Sequence, residues 1–297
     1  MLTKIVENLS NISVIKELMK KHGFEFSKSL GQNFLINPTV CPKIAEQGNA
    51  KKGFGIIEIG TGIGVLTAEL AKRADKVVAI EIDKSLIPVL EDTLSEFDNI
   101  KIINADVMET DLAQIINDEF DGLDVAVCAN LPYYLTSPII MMLLESRLRI
   151  KSITVMVQKE AGRRLCAEMG TRDMGAVTVA VNYFSKPKIL FDVSRGSFMP
   201  SPNVDSCVVR FDIKDKTPEG VLDERFFFKA ARGAFSQRRK TLSNSASSSL
   251  GIEKPIVIKS IEEAGLSPSV RPEQLSMEEL ISFSNKLKAN VDSANKH

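Results

Sequence analysis

The 297-residue sequence has no tryptophan and only two histidines, His22 and His297. Its four cysteines (Cys41, Cys128, Cys166 and Cys207) lie far apart, with no Cys-x-x-Cys pair. A structural zinc site therefore has almost no ligands to draw on, and no metal is expected. Thiols scattered through apolar runs such as Val125–Cys128 read as reduced and buried. Net charge is absent as well. The 38 Lys+Arg balance the 38 Asp+Glu, which excludes a wholly basic nucleic-acid binder but not a local basic face. No run approaches 18 apolar residues, so neither a membrane span nor a secretion signal is expected, and the cytoplasm is the expected compartment. What remains is globular: 44% hydrophobic and 26% charged residues rule out a disordered or collagen-like chain. At about 150 residues per domain the length predicts two domains.

Residues 11–23 predict an amphipathic helix, capped by Asn11 or Ser13 and closed by Gly23. The polar loop Ser29-Leu-Gly-Gln-Asn-Phe-Leu35 carries two large apolar residues and precedes a helix near Pro38–Gln47. From Gly55 onward strands at 56–59, 76–83, 100–104, 124–130 and 153–158 alternate with helices at 65–72, 85–97 and 138–145. Repeated βα units predict an α/β fold with a parallel sheet covered on both faces. Residues 159–169 read as helical, and 175–184 fit helix or strand. Lys188–Val193 and Ser206–Ile213 read as a closing antiparallel pair. A charged linker at 214–220 then leads into helical periodicity over 223–289. The expected domains are 1–214, with an N-terminal helix and lid over 1–50, and a helical domain at 215–297.

Gly60-Thr-Gly-Ile-Gly64 follows a strand and opens a helix. Glycines there let backbone approach a ligand, and the helix N-terminus favours polar or anionic groups. A bland Gly-rich turn would share this pattern. Glu81, 21 residues after Gly60, ends the next strand, where a carboxylate can accept from ribose hydroxyls. Asp106 follows the third strand, placed for an adenine amino group, and Asn130 ends the fourth. Side chains at successive strand ends converge on one crevice. Two cofactor classes stay open at this point: a nicotinamide enzyme usually shows Gly-x-Gly-x-x-Gly, whereas Glu58-Ile-Gly-Thr-Gly-Ile-Gly64 matches the form typical of S-adenosylmethionine enzymes.

Asn130-Leu-Pro-Tyr133 is the sharpest signal, and it resembles the signature of methyltransferases that modify exocyclic amines. Adenine N6 is a poor nucleophile because its lone pair is delocalised into the ring. The Asn130 side-chain oxygen and the Leu131 carbonyl can accept both N6 hydrogens, favouring a pyramidal nitrogen aimed at a methyl donor. Pro132 sets the turn, and Tyr133 can stack on an extruded base. No general base is needed, because attack on a sulfonium yields an acidic ammonium; orientation supplies most of the rate. Phe198, in Phe198-Met-Pro-Ser-Pro-Asn-Val-Asp-Ser206, either supplies the opposing stacking face or packs in a Pro-stiffened loop.

Together with Ser29–Leu35 and Arg238-Arg-Lys-Thr-Leu242, these segments resemble the ribosomal-RNA adenine N6,N6-dimethyltransferases, the KsgA/RsmA family, in the family's order from about residue 20 to 275. The resemblance implies a Rossmann-like class I methyltransferase core, a mostly parallel seven-stranded sheet, and a small C-terminal all-helical domain. It implies S-adenosylmethionine bound by Asn33, Leu35, Gly60, Glu81, Asp106 and Asn130, with Gly62, Gly64, Ile82 and Val107 beside them and Gln32 in a lid. It implies transfer of two methyl groups to each of two adjacent adenosines in the 3′-terminal hairpin loop of 16S rRNA, within an immature 30S-type particle, by a monomer that also serves subunit biogenesis. Thr61 stands where the family usually has Pro; it offers backbone to the cofactor, so little effect is expected. A sister group, the macrolide-resistance methyltransferases of 23S rRNA, usually carries Asn-Ile-Pro-Tyr, and Leu131 favours the small-subunit enzyme. A dinucleotide oxidoreductase is the distant alternative.

Residues 225–240 hold six cations (Arg225, Lys229, Arg232, Arg238, Arg239 and Lys240) and no acid, which makes a phosphate-binding face for rRNA or, more blandly, a solvated helix face. Arg147, Arg149 and Lys151 form a second, weaker basic stretch.

Overall fold

The computed structural model describes residues 9–27 and 30–295; Ser29, which opens the lid motif, and His297 lie outside them. Helix α1 (Ile12–His22) begins at Asn11, whose side chain accepts from the Ser13 N–H, and ends at Gly23 in the left-handed region. The two-residue strand β1 (Phe34–Leu35) and helix α2 (Val40–Gln47) follow.

Next come the alternating units: β2 (Phe54–Ile59), α3 (Val65–Ala71), β3 (Lys76–Glu81), α4 (Ile87–Thr93), β4 (Ile100–Asn104), α5 (Leu112–Glu119), β5 (Asp124–Asn130), α6 (Thr136–Glu145) and β6 (Ser152–Gln158). Helix α5 has no counterpart in the sequence reading, and α4 is shorter than the 85–97 expected there, its first turn being 3₁₀. Beyond β6 lie α7 (Lys159–Leu165), α8 (Ala176–Phe184), β7 (Ser185–Val193), the two-residue β8 (Phe198–Met199) and β9 (Ser206–Ile213). The ambiguous segment 175–184 is a helix.

Seven strands form one sheet in the order β4-β3-β2-β5-β6-β9-β7. β2 pairs parallel with β3 and β5, β3 with β4, and β5 with β6, while β9 runs antiparallel to β6. Every residue of the central strand β2 is buried, as a parallel strand covered on both faces requires. Burying each of its isoleucine side chains stabilises the fold by roughly 1.5–3 kcal/mol. Strand order reverses between β2 and β5. The crevice outside their carboxyl ends is where such sheets bind ligands.

The chain divides into two compact units, one through residue 162 together with 187–213, the other 163–186 together with 214–297. The second contains α9 (Glu224–Ala234), α10 (Leu242–Leu250), α11 (Lys254–Glu263) and α12 (Met277–Ala294). Residues 163–186, which the sequence places in the first domain, belong to it because of an aromatic cluster. Tyr183 stands 5.4 Å from Phe227 and 5.1 Å from Phe228, Phe184 stacks on Phe228, and the Tyr183 hydroxyl donates to Glu224. Cys41, Cys128 and Cys207 are buried as expected, but Cys166 is only half-buried, because it sits where α7 ends rather than in an apolar run.

No helix among the described residues is long and apolar enough to cross a membrane.

Candidate active site

β2 runs out into a turn in which Gly60, Gly62 and Gly64 have φ of 73°, 58° and 89°, a region that suits glycine. A Cβ on Gly62 would also stand 3.3 Å from the Phe34 ring. This close approach brings segment 30–35 against the glycine turn and builds one wall of a cavity. Gln32, Asn33, Leu35, Gly60, Gly62, Glu81, Ile82, Asn130, Leu131, Pro132, Tyr133 and Phe198 all line it. Of the residues expected at the site, Gly64, Asp106 and Val107 lie outside that lining. Gly64 instead caps α3 with φ of 89°, and a Cβ there would crowd Leu94 at 3.0 Å. Asp106 uses Oδ1 to accept from the Met108 N–H at 2.9 Å.

Glu81 is 4% exposed, and burial pushes its carboxyl above the ordinary range. Three donors oppose that shift: the Gly62 N–H (3.0 Å) and the Thr61 hydroxyl (3.1 Å) on Oε2, and the Asp83 N–H (2.9 Å) on Oε1. A carboxylate offers about four lone-pair positions, so Oε1 retains one for a ribose hydroxyl. Thr61 therefore acts on the site through its side chain, whereas the sequence reading expected only its backbone to matter. The lid is tied to the same strand end: Gln32 Nε2 donates to Asp83 at 2.7 Å, while its Oε1 accepts from the Ser27 N–H.

The Asn130 amide nitrogen donates to the Asn33 carbonyl at 3.3 Å. That bond orients the amide and leaves Oδ1 as the group available to an incoming amine. Leu131, 2% exposed, anchors the turn, and a 3₁₀ segment (Tyr133–Leu135) follows Pro132. Tyr133 is half-buried; burial raises its phenol pKa, and its hydroxyl lies 2.8 Å from Ser206 Oγ. Phe198 is buried and reaches the cavity because β8 pairs antiparallel with β1, with Leu35 opposite Phe198. Two-residue strands carry no periodicity, so neither was legible in the sequence.

Glu58 also lines the cavity. It is 1% exposed, and among the described residues neither of its carboxylate oxygens has a hydrogen-bond partner. Burial raises its pKa to about 8, with the charge of Glu81 adding to the push. The sequence marks Glu58 as the first residue of the Glu58–Gly64 motif but assigns it no role of its own. Sequence reasoning also missed Gly31 and Tyr134 in the lining, where a Cβ on Gly31 would meet the Tyr134 ring at 3.4 Å.

The second unit carries the basic segment. The α9 N-cap Asp223 accepts from the Phe226 N–H, and Phe227 and Phe228 turn inward. Arg225, Lys229 and Arg232 occupy the exposed face at helical spacing, and Arg238, Arg239 and Lys240 are exposed in the turn beyond.

Residues 23–288 match the family described as ribosomal RNA adenine dimethylase. The chain is 45% identical over 276 residues to the ribosomal RNA small subunit methyltransferase A of Bacillus cereus (strain B4264), covering 92% of this chain and 94% of that one. It is 44% identical over 283 residues to the protein of the same name from Alkaliphilus oremlandii (strain OhILAs), covering 95% and 99%. Among solved structures, a dimethyladenosine transferase from Plasmodium falciparum superposes with a TM-score of 0.71 at 26% identity, covering 87% of this chain and 98% of that one. The 23S rRNA methyltransferase ErmE gives 0.63 at 25% identity, covering 86% and 100%.

Proposed function

The chain belongs to the ribosomal RNA adenine dimethylase family, and from that premise we propose how its residues perform the reaction. It is an S-adenosylmethionine-dependent methyltransferase that dimethylates adenine N6 in small-subunit ribosomal RNA. The target is the pair of adjacent adenosines in the 3′-terminal hairpin loop of 16S rRNA within an immature 30S-type particle. The enzyme acts as a cytoplasmic monomer, and its binding contributes to subunit biogenesis.

The cavity fits the cofactor. The buried Glu58 carboxyl, whose oxygens have no hydrogen-bond partner among the described residues, suits a polar group of the ligand, and Glu81 suits its ribose. When bound, S-adenosylmethionine supplies an electrophilic methyl group on a sulfonium. Gln32, Asn33, Leu35, Ile82 and the turn at Gly60 and Gly62, which line the cavity, would hold it, and Asp106 and Val107, outside that lining, would be added to its adenine contacts.

The target adenine leaves its stack and enters between Tyr133 and Phe198. Asn130 Oδ1 and the Leu131 carbonyl accept the two N6 hydrogens, which draws the nitrogen lone pair out of conjugation and aims it at the methyl. The proton lost after attack leaves an acidic ammonium and passes to water. The observation that carries this account is the bond from the Asn130 amide to the Asn33 carbonyl, which leaves the amide oxygen for the substrate. Arg225, Lys229, Arg232, Arg238, Arg239 and Lys240 hold rRNA phosphates.

The large-subunit reading is favoured only by the likeness to ErmE, at 25% identity against 45% for the small-subunit relative. A dinucleotide oxidoreductase is ruled out by family membership. The test is transfer of labelled methyl to undermethylated small and large subunits, with the modified nucleotide mapped. Label confined to adjacent adenosines of the small-subunit hairpin is expected; label in the large subunit overturns the reading.

A further inference from the structure

We propose that Asp205 and Ser206, neighbours at the entry to β9, are positioning residues that set the two aromatic walls of the base pocket, Tyr133 and Phe198. This rests on the reading that those two rings stack on the target adenine.

Ser206 is fully buried, and its backbone stands in register with Gln158, the last residue of β6. Its hydroxyl lies 2.8 Å from that of Tyr133, and either group can donate. Tyr133 sits in a short 3₁₀ turn outside the sheet. Its ring is therefore held at two ends, by the Pro132 turn and by Ser206. The phenol has no work to do as a base, because the amine needs none, so this bond acts on the ring's placement.

Asp205 does the same for the other wall. Its Oδ1 accepts from the Arg195 backbone N–H at 2.9 Å, at the start of the 3₁₀ turn (Arg195–Ser197) that leads directly into Phe198. The Asp205 carbonyl accepts from the Lys159 N–H at 3.0 Å. The loop carrying Phe198 is thus pinned to the end of the sheet rather than to another loop. Asp205, the residue just before β9, and Ser206, the first residue of that strand, hold the two rings, so the end of the sheet sets the gap between them. Groups anchored on strands keep geometry better than groups anchored on loops, and a shift of about 1 Å in a reacting group costs about 10²-fold in rate.

The test measures methyl transfer to undermethylated small subunits, together with cofactor dissociation constants. Tyr133→Phe and Ser206→Ala are each expected to lower kcat about tenfold. The double variant should be no slower than either single one, and cofactor affinity should stay within about twofold. Asp205→Ala should lower kcat similarly, and Asp205→Asn should restore it, because the amide oxygen still accepts from Arg195. In protein carrying 3-fluorotyrosine, Ser206→Ala should move the ¹⁹F resonance of Tyr133, identified by its loss in Tyr133→Phe, and leave those of Tyr134 and Tyr183 in place. Wild-type kcat in both Tyr133→Phe and Ser206→Ala, with Tyr133→Ala inactive, overturns the positioning role of Ser206 and leaves stacking intact. Equal loss in Asp205→Ala and Asp205→Asn overturns the role of Asp205. Full activity in Tyr133→Ala overturns the stacking reading beneath the proposal.

Discussion

Leu35 stands directly opposite Phe198 in a ribbon of two residues per strand. The pairing makes the two parts of the cavity wall that carry Leu35 and Phe198 a single element. Ile36 extends it, its N–H donating to the Ser197 carbonyl at 2.9 Å.

Replacing Asn130 by Ala removes the amide oxygen that orients the substrate amine. Transfer should slow by about 10²–10³-fold, the usual loss for one preorganised polar contact in a transition state. Subunit binding should stay close to wild type, since phosphate contacts supply most of it. Single-turnover methylation beside a filter-binding assay measures both, and unchanged turnover would sink the mechanism.

Glu58 makes stability depend on pH in a defined direction. Its folded-state pKa, about 8, lies above its unfolded value of about 4.3. Between those values the unfolded chain has released the proton and the folded one still holds it, so stability falls as pH rises from about 4 to 8 and levels off above. Glu58→Gln, neutral at every pH, should lie closest to wild type at or below about pH 4 and become progressively more stable relative to it by pH 8. Denaturant melts of the two proteins across that range give the difference, and a flat difference would be incompatible with a protonated Glu58.

Thr61→Val removes one of three donors from a buried carboxylate. Leaving that acceptor short should cost about 1–3 kcal/mol of stability and weaken cofactor binding several-fold. Calorimetric titration with S-adenosylmethionine reads the second effect. Unaltered affinity would mean that the Gly62 and Asp83 amides hold Glu81 unaided.

Neutralising Arg238, Arg239 and Lys240 together should weaken subunit binding and flatten its salt dependence. Each lost phosphate contact lowers the log–log slope by about 0.7–0.9, so three lower it by about 2–3. Binding measured from low to moderate salt reports this. A slope identical to wild type would make the run a solvated face.

Much of the local structure was readable in advance because its causes are local. Asn11 and Gly23 cap α1 as their residue types dictate, and β2, β3 and β5 show as short apolar runs. Helix α5 escaped notice because it is short: over Leu112–Glu119 its apolar stripe is limited to Leu112, Ile115 and Ile116, little more than one turn. Residues 175–184 could not be assigned because a segment buried this fully loses its periodic signature: Thr178–Val181, Tyr183 and Phe184 are all buried.

By itself the sequence determined the alternation of the five parallel strands with most of their helices, the glycine turn after β2, and the chemistry available in Asn130–Tyr133. Those depend on residue type and on neighbours a few positions away. Only the tertiary structure decided that 163–186 joins the C-terminal helices, that Leu35 meets Phe198, and that Tyr133 is held by a serine 73 residues further on. It also decided that Glu58 would be buried without a partner. Each of these is a contact between segments distant in sequence, made only when the chain closes on itself to bury its core, and no local pattern encodes it.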